Sequence, residues 1–262
     1  MIKSLVIALQ TYSRIPMPQV EWDDKSMKYV FCFFPLVGAF VGGFEILWYF
    51  LAQLLCLTVW IYGAVAAVIP LLVTGAIHMD GFCDTVDALS SHQSRERMLE
   101  ILKDSHAGAF AIIFCGVWLL CYFGFWANIP NVSLMHGFGE DWNILFTICF
   151  GFVLSRALSG LAIANFKGAR TNGMLAGFAG PAKKSTVTIT MLVYIVICVV
   201  FMILFGGWLG VIAVVVNGLI FGYYRYLSYK KFGGITGDLA GWFLQLAELG
   251  SVAAISLFGF IL

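Results

Sequence analysis

Seven stretches of this chain are each as long and as apolar as a bilayer core requires. A hydrocarbon layer about 30 Å thick needs about 20 apolar residues per helix. Residues 30–56, 59–78, 109–128, 143–164, 186–206, 208–228 and 239–262 meet that length. The expected fold is therefore all-α: a polytopic membrane helical bundle of about seven transmembrane helices, forming a single integral membrane domain over residues 1–262. Composition agrees, with 61% hydrophobic and 11% charged residues, 24 Phe and 8 Trp, where a soluble domain carries about 45–50% apolar residues. Two of the span boundaries are tight turns inside longer apolar runs, at Leu57–Thr58 and at Gly206–Gly207.

The start MIKSLVIALQTYSRIPMP has an apolar run too short to cross a bilayer and no small-residue cleavage pattern. It reads as a retained N-terminal interfacial helix. Seven cysteines, at 32, 56, 83, 115, 121, 149 and 198, form no CxxC pair and no Cys/His metal spacing, so they read as small apolar packing residues. A net charge of +1 without a basic stripe argues against nucleic acid. With seven spans, the N-terminal segment and the loops 79–108, 165–185 and 229–238 share one side, which holds every Lys and Arg except Arg156 and Arg225, both inside spans. The positive-inside rule makes that side cytoplasmic.

Against this apolar background, HMDGFCDTVDAL concentrates Asp80, Asp84 and Asp87 within eight positions. On a helix the three fall within an arc of roughly 60°. Like charges at i,i+4 destabilise a helix by roughly 0.2–0.5 kcal/mol per pair, and no Lys or Arg occurs from residue 29 to 94 to offset them. A bound divalent metal supplies the missing positive charge, and oxygen-only ligands favour Mg²⁺, with Mn²⁺ as a substitute, over zinc. The alternative is a solvated acidic loop.

Further polar residues interrupt the pattern. In SHQSRERMLEILKDSHAG, Ser94 caps a short amphipathic surface helix whose apolar side is Met98, Leu99, Ile101 and Leu102, with Gly108 after its end. Asp104 is expected in the last turn of that helix, where it opposes the helix dipole; it is a candidate base or metal ligand unless Lys103 merely neutralises it. His78 falls on the helix face opposite the aspartates, and His106 is a loop residue. The stretch NFKGARTNGMLAGFAGPAKK interleaves Gly168, Gly173, Gly177 and Gly180 with Lys167, Arg170, Lys183 and Lys184. It reads either as a phosphate cradle or as a flexible loop with positive-inside charges, the second being the reading for Lys183 and Lys184. Arg156 lies inside the fourth span, where a lone charge costs about 2.5–3.5 kcal/mol or more, so it needs an acid or a bound phosphate. In the final span, Asp238 and Glu248 form either a second acidic site facing Asp80 or, for Glu248, an ion pair with Arg156.

Four or more carboxylates, a glycine-rich basic loop and an intramembrane arginine suit metal-dependent phosphoryl transfer, in which the protein mainly positions charge. Neither a Ser-His-Asp order nor a zinc signature is present to suggest hydrolysis by those routes.

In chain order, Arg14-Ile15-Pro16, HMDGFCDTVDAL, RERMLEILKDSHAG, LSRA, NGMLAGF and GGITGDLAGWFLQLAELG resemble the successive motifs of the cobalamin synthase family of adenosylcobinamide-GDP ribazoletransferases. The resemblance covers nearly the whole chain. It implies an integral protein of a bacterial or archaeal cytoplasmic membrane, embedded in membrane lipid, with its active-site loops cytoplasmic and an oligomer left open. It also implies a Mg²⁺-dependent transferase that joins adenosylcobinamide-GDP to α-ribazole or its 5′-phosphate and releases GMP, completing the nucleotide loop. On that resemblance Asp80, Asp84 and Asp87 hold Mg²⁺ against the diphosphate, Asp104 is the base, Arg156, Arg170 and Lys167 meet phosphate, and Asp238 and Glu248 fall on the family's C-terminal acidic elements. Two departures stand out: Ala88 where the family often has Gly, and AGPAKK at the end of the basic motif. A CDP-alcohol phosphotransferase is the nearest rival, but Asp84-Thr85 and Val86-Asp87 stand where it expects Ala-Arg and a GxxxDxxxD continuation. A prenyltransferase with paired aspartate motifs fits less well. A secondary transporter, the rival from another class, would show inverted repeats, and none is visible.

Overall fold

The structure is a computed structural model describing residues 1–104, 106–136, 141–170 and 182–259, and among these it is helical apart from the irregular segment 13–23 and short turns and loops. Helix α1 (Ile2–Tyr12) buries Ile7, Ala8 and Leu9 against the bundle, and Ser4 Oγ donates to the Ser26 carbonyl at 2.8 Å. Asp23 caps the four-residue α2 (Asp24–Met27) by accepting from Ser26 N–H at 2.6 Å. A 3₁₀ turn then leads into α3 (Phe34–Leu54).

Helix α4 (Val59–Thr74) is capped by Thr58 and ends four residues before the expected boundary at 78. Gly75 and Ala76 both adopt left-handed backbone angles, φ 63° and 60°. Ala76 N–H donates to Leu71 O at 2.8 Å and Gly75 N–H to Leu72 O at 3.3 Å, the paired hydrogen bonds of a Schellman end. This is the physical reason that α5 (Ile77–Ser90) does not continue α4 but turns 95° away from it.

The short α6 (Arg95–Ile101) is capped by Ser94 as expected. Long helices follow: α7 (Ala109–His136), α8 (Asp141–Asn165), α9 (Lys184–Leu227) with a π turn over Ser228–Phe232, and α10 (Gly237–Phe258). Within α9 the helical angles break at Gly207 (φ 52°, ψ −126°). A Cβ on Gly210 would lie 1.8 Å from the Met202 carbonyl oxygen, so the chain doubles tightly on itself where a turn is expected.

By length and composition, five described helices are able to cross a membrane: Val30–Leu54, Ala109–Ile129, Trp142–Asn165, Lys184–Phe232 and Gly237–Phe258. The bent pair α4–α5 adds a sixth only if it is one crossing. The structure departs from the seven expected spans at α4, which at 16 residues is short of one, while the break at Gly207 divides Lys184–Phe232 where the turn between two spans is expected. The bundle is a polytopic membrane protein whose outer surface is apolar. Phe50, Trp60, Leu72, Leu120, Leu204 and Trp208 are exposed, while Glu45, Arg156, Asn217 and Glu248 are buried, the distribution a lipid solvent demands. Asn217 Nδ2 donates to Ser251 Oγ at 2.7 Å, a hydrogen bond between α9 and α10 of the kind that joins helices in membranes.

Candidate active site

The site forms where α5 crosses α10. A Cβ on Gly81 would lie 2.8 Å from the Asp238 carbonyl oxygen, and one on Gly241 would lie 2.8 Å from the His78 carbonyl oxygen. Only hydrogen fits at either point, and small residues allow helix backbones this close. The crossing brings the first turns of both helices together, with Asp80 in that of α5 and Asp238 in that of α10. Thr236 caps α10, accepting from Leu239 N–H at 3.2 Å and donating to Asp238 Oδ2 at 3.3 Å.

A third element supplies positive charge. The stretch after α8 is tied to the loop before α10: Ala169 N–H donates to Ile235 O and Ile235 N–H to Lys167 O, both at 2.8 Å. A Cβ on Gly234 (φ 159°) would lie 2.4 Å from the Lys167 carbonyl oxygen, so glycine is required there. This pairing delivers Arg170, whose Nη1 lies 3.9 Å from Asp238 Oδ2 and whose Nη2 donates to the Leu99 carbonyl.

These elements enclose a cavity of about 350 Å³. Asp80, Asp238, Arg170 and Lys184 make its charged portion, while Tyr12, Phe34, His78, Ser159, Ile163 and Leu244 line the remainder. Asp84 is half-buried, and burial, followed by the negative charges of Asp80, Asp238, Asp87 and Asp104, pushes its carboxyl up to about 7. His78 is buried and lines the same cavity.

Several expected roles change. Asp80 and Asp84 are electrostatic neighbours, but Asp87 points to α7, where its carboxylate accepts from Gly108 N–H at 2.6 Å and Ala111 N–H at 2.8 Å. These are unpaired donors of a helix N-terminus, so Asp87 caps α7. Among the described residues no three acidic, His or Cys side chains converge to hold an ion by themselves. A Mg²⁺ ion nonetheless fits the oxygen-only donors present, because it uses one or two carboxylates together with waters and substrate phosphates.

Asp104 lies beyond α6, not in its last turn, because Lys103 N–H and Asp104 N–H close onto Glu100 O and Ile101 O and end the helix. It accepts from His106 N–H at 3.0 Å and meets His106 Nδ1 at 2.7 Å. Those hydrogen bonds hold it below the usual carboxylate range, which weakens it as a base. Arg156 does not meet the cavity; it pairs with Glu248 in a completely buried ion pair and donates to Phe152 O and Ser155 Oγ, both at 3.2 Å. Glu248, about 15 Å along α10 from Asp238, therefore belongs to this ion pair and not to a second acidic site. Lys167 contributes its backbone, its N–H donating to Tyr229 Oη at 2.9 Å, and its side chain is exposed. Gly173, Gly177 and Gly180 lie outside the described residues.

The structure adds residues that the sequence argument passes over. Lys184, assigned to topology alone, lines the cavity, as do Ser159 and the rings of Tyr12 and Phe34. Glu45 is fully buried and interacts electrostatically with Glu248. Its signal was visible in the sequence as a single acid in the apolar run of α3.

Fold and site together define a helical membrane protein with an acid-and-base-lined cavity at one end of its bundle. Residues 4–256 match the family model described as cobalamin-5-phosphate synthase. A Lachnoclostridium phytofermentans protein named adenosylcobinamide-GDP ribazoletransferase is 46% identical over 97% of this chain and 93% of its own length. Proteins of the same name from Listeria monocytogenes and Treponema denticola are 32% and 31% identical, each over 95% of both chains. No solved structure matches the chain. The chain belongs to the cobalamin-5-phosphate synthase family.

Proposed function

We propose that this protein joins adenosylcobinamide-GDP to α-ribazole or its 5′-phosphate and releases GMP, the last step in assembling the cobalamin nucleotide loop, at a site facing the cytoplasm. The observation that carries the reading is the meeting of Asp80, Asp238 and Arg170 at the charged portion of a cavity whose other walls are apolar and aromatic. Such a cavity suits a substrate with an anionic end and a flat base.

Asp80 and Asp84 would hold Mg²⁺, or Mn²⁺ in its place, which when bound neutralises charge on the diphosphate. The Arg170 guanidinium receives a phosphate oxygen, its planar donors suiting that geometry. A ribose hydroxyl of the acceptor attacks the phosphorus on the cobinamide side. The new P–O bond forms as the bond to GMP breaks, and the hydroxyl proton passes to the Asp238 carboxylate, which Thr236 and Arg170 orient.

The test uses purified protein in detergent or proteoliposomes with Mg²⁺, adenosylcobinamide-GDP and α-ribazole. GMP and cobamide are expected in equal amounts, and Asp84→Asn is expected to slow the reaction at least about 10²-fold. Absence of GMP release from the wild type overturns the reading, and wild-type turnover in Asp84→Asn overturns the metal assignment. Release of CMP from a CDP-lipid and an alcohol would favour the CDP-alcohol phosphotransferase alternative.

A further inference from the structure

The phosphoryl chemistry leaves the other portion of the cavity unused. Three rings form a wall there: the Tyr12 and Phe34 centroids lie 4.6 Å apart, Phe34 meets His78 edge-on at 6.0 Å, and Tyr12 and His78 are within 20° of parallel at 6.4 Å. Ile163 and Leu244 extend it with aliphatic surface. Two polar side chains interrupt this wall. Ser159 is 0% and His78 4% exposed, and Ser159 Oγ and His78 Nε2 have no hydrogen-bond partner among the described residues. Buried polar atoms are almost always hydrogen-bonded, and these two belong to residues of one cavity wall, where a small turn of either side chain presents it to a ligand's polar edge.

We propose that this wall seats a flat aromatic heterobicycle with one in-plane acceptor nitrogen, the base of a ribazole-type nucleoside, its nitrogen accepting from His78 Nε2–H beside Ser159 Oγ. The inference rests on the transferase reading for its choice of nucleoside and deepens it by assigning the acceptor's place. The ribose then points towards Asp238 and Arg170, where the proton and phosphate are handled. The volume of about 350 Å³ is at the lower end of small-molecule sites, a size that suits a nucleoside. Guanine is the competing base within the same reaction, and it fits poorly. Its amide edge presents donors and acceptors together and asks for a carboxylate or a backbone pair, while Ser159 and His78 stand among aromatic and aliphatic groups. A benzimidazole glycosylated on one nitrogen asks only for a single donor and an otherwise apolar seat.

The probes are the ribosides of benzimidazole and of indole, nearly identical in shape, the second carrying C–H where the first has its acceptor nitrogen. Equilibrium binding of each is measured on the full-length protein in nanodiscs, with no corrinoid present. The wild type is expected to bind the benzimidazole riboside at least about tenfold more tightly, because the indole analogue leaves a buried donor unpaired. His78→Phe keeps a ring and removes the donor, and is expected to bring the ratio to about one and to raise KM for α-ribazole without changing KM for the corrinoid substrate. Ser159→Ala is expected to shrink the ratio in the same direction, and the wild-type comparison stands even if either variant fails to fold. Equal affinity of the wild type for the two ribosides, or a tenfold ratio that survives in both variants, overturns the proposal. The ratio with no GMP release supports the aromatic seat while the transferase reading fails; GMP release with a ratio of one does the reverse.

Discussion

Replacing Gly81 with alanine tests whether the α5–α10 crossing sets the chemistry. The added Cβ would lie 2.8 Å from the Asp238 carbonyl oxygen and 2.9 Å from Asp238 Cα, where ordinary contact begins at 3.4 Å. Both are backbone atoms and have no rotamer to escape into, so the helices must separate by roughly 0.6 Å, the distance by which the contact is too short. Overpacking of this kind costs about 1–3 kcal/mol. The separation acts on the Asp80–Asp238 juxtaposition itself, and a 1 Å misplacement of catalytic groups costs about 10²-fold. Gly81→Ala is therefore expected to lower kcat for GMP release at least about tenfold, together with a reduced melting temperature in detergent. Gly43→Ala is the control, since a Cβ there meets nothing within 4 Å and improves helix propensity by up to about 1 kcal/mol. Wild-type kcat in a folded Gly81→Ala variant would refute the claim that this close crossing positions the acids.

Three further outcomes follow from the geometry. Asp87→Ala, which strips the cap from α7, is expected to destabilise the protein by about 1–2 kcal/mol, read as a melting shift of equal size with and without Mg²⁺; a shift seen only with Mg²⁺ would return Asp87 to the metal. Because Asp84 is raised to about 7 from an unfolded value near ~3.9, the folded metal-free protein holds more protons than the unfolded chain between those pH values. Its contribution is thus fully present below pH ~4 and is lost as pH rises towards 7, so the stabilisation given by Mg²⁺ in a thermal-shift assay should be larger at pH 7.5 than at pH 5.5, and an equal effect would contradict the shift. Glu248→Gln, which leaves Arg156 charged and buried without its partner, is expected to cost about 3–5 kcal/mol, while the double replacement Arg156→Met with Glu248→Leu recovers most of it; equal losses in the two would argue against a structural ion pair.

Much of this protein is local and so could be read from residue order. Apolar length set the membrane-helix class, Ser94 sits where a cap is needed, and spacing placed Asp80 and Asp84 within about one turn of a helix. Those features depend on neighbours a few positions away. The choice of partner across the bundle does not. Asp87 looked equivalent to its two neighbours until the N-terminus of α7 came within reach of its carboxylate. Arg156 had a phosphate and Glu248 as rival partners, and only the packing of α8 against α10 decided between them. His78, on the face opposite the aspartates, became a cavity wall because Gly241 lets α10 approach its backbone.

Sequence alone determined that the chain is a bundle of apolar helices carrying an acidic motif, since helix period and the cost of charge in lipid act residue by residue. Tertiary structure decided which acids meet, which one caps a helix and which one neutralises an arginine. Those outcomes hang on sub-ångström approach between elements far apart in the chain, as at Gly81 and Gly241, where a single methyl group would keep the helices apart.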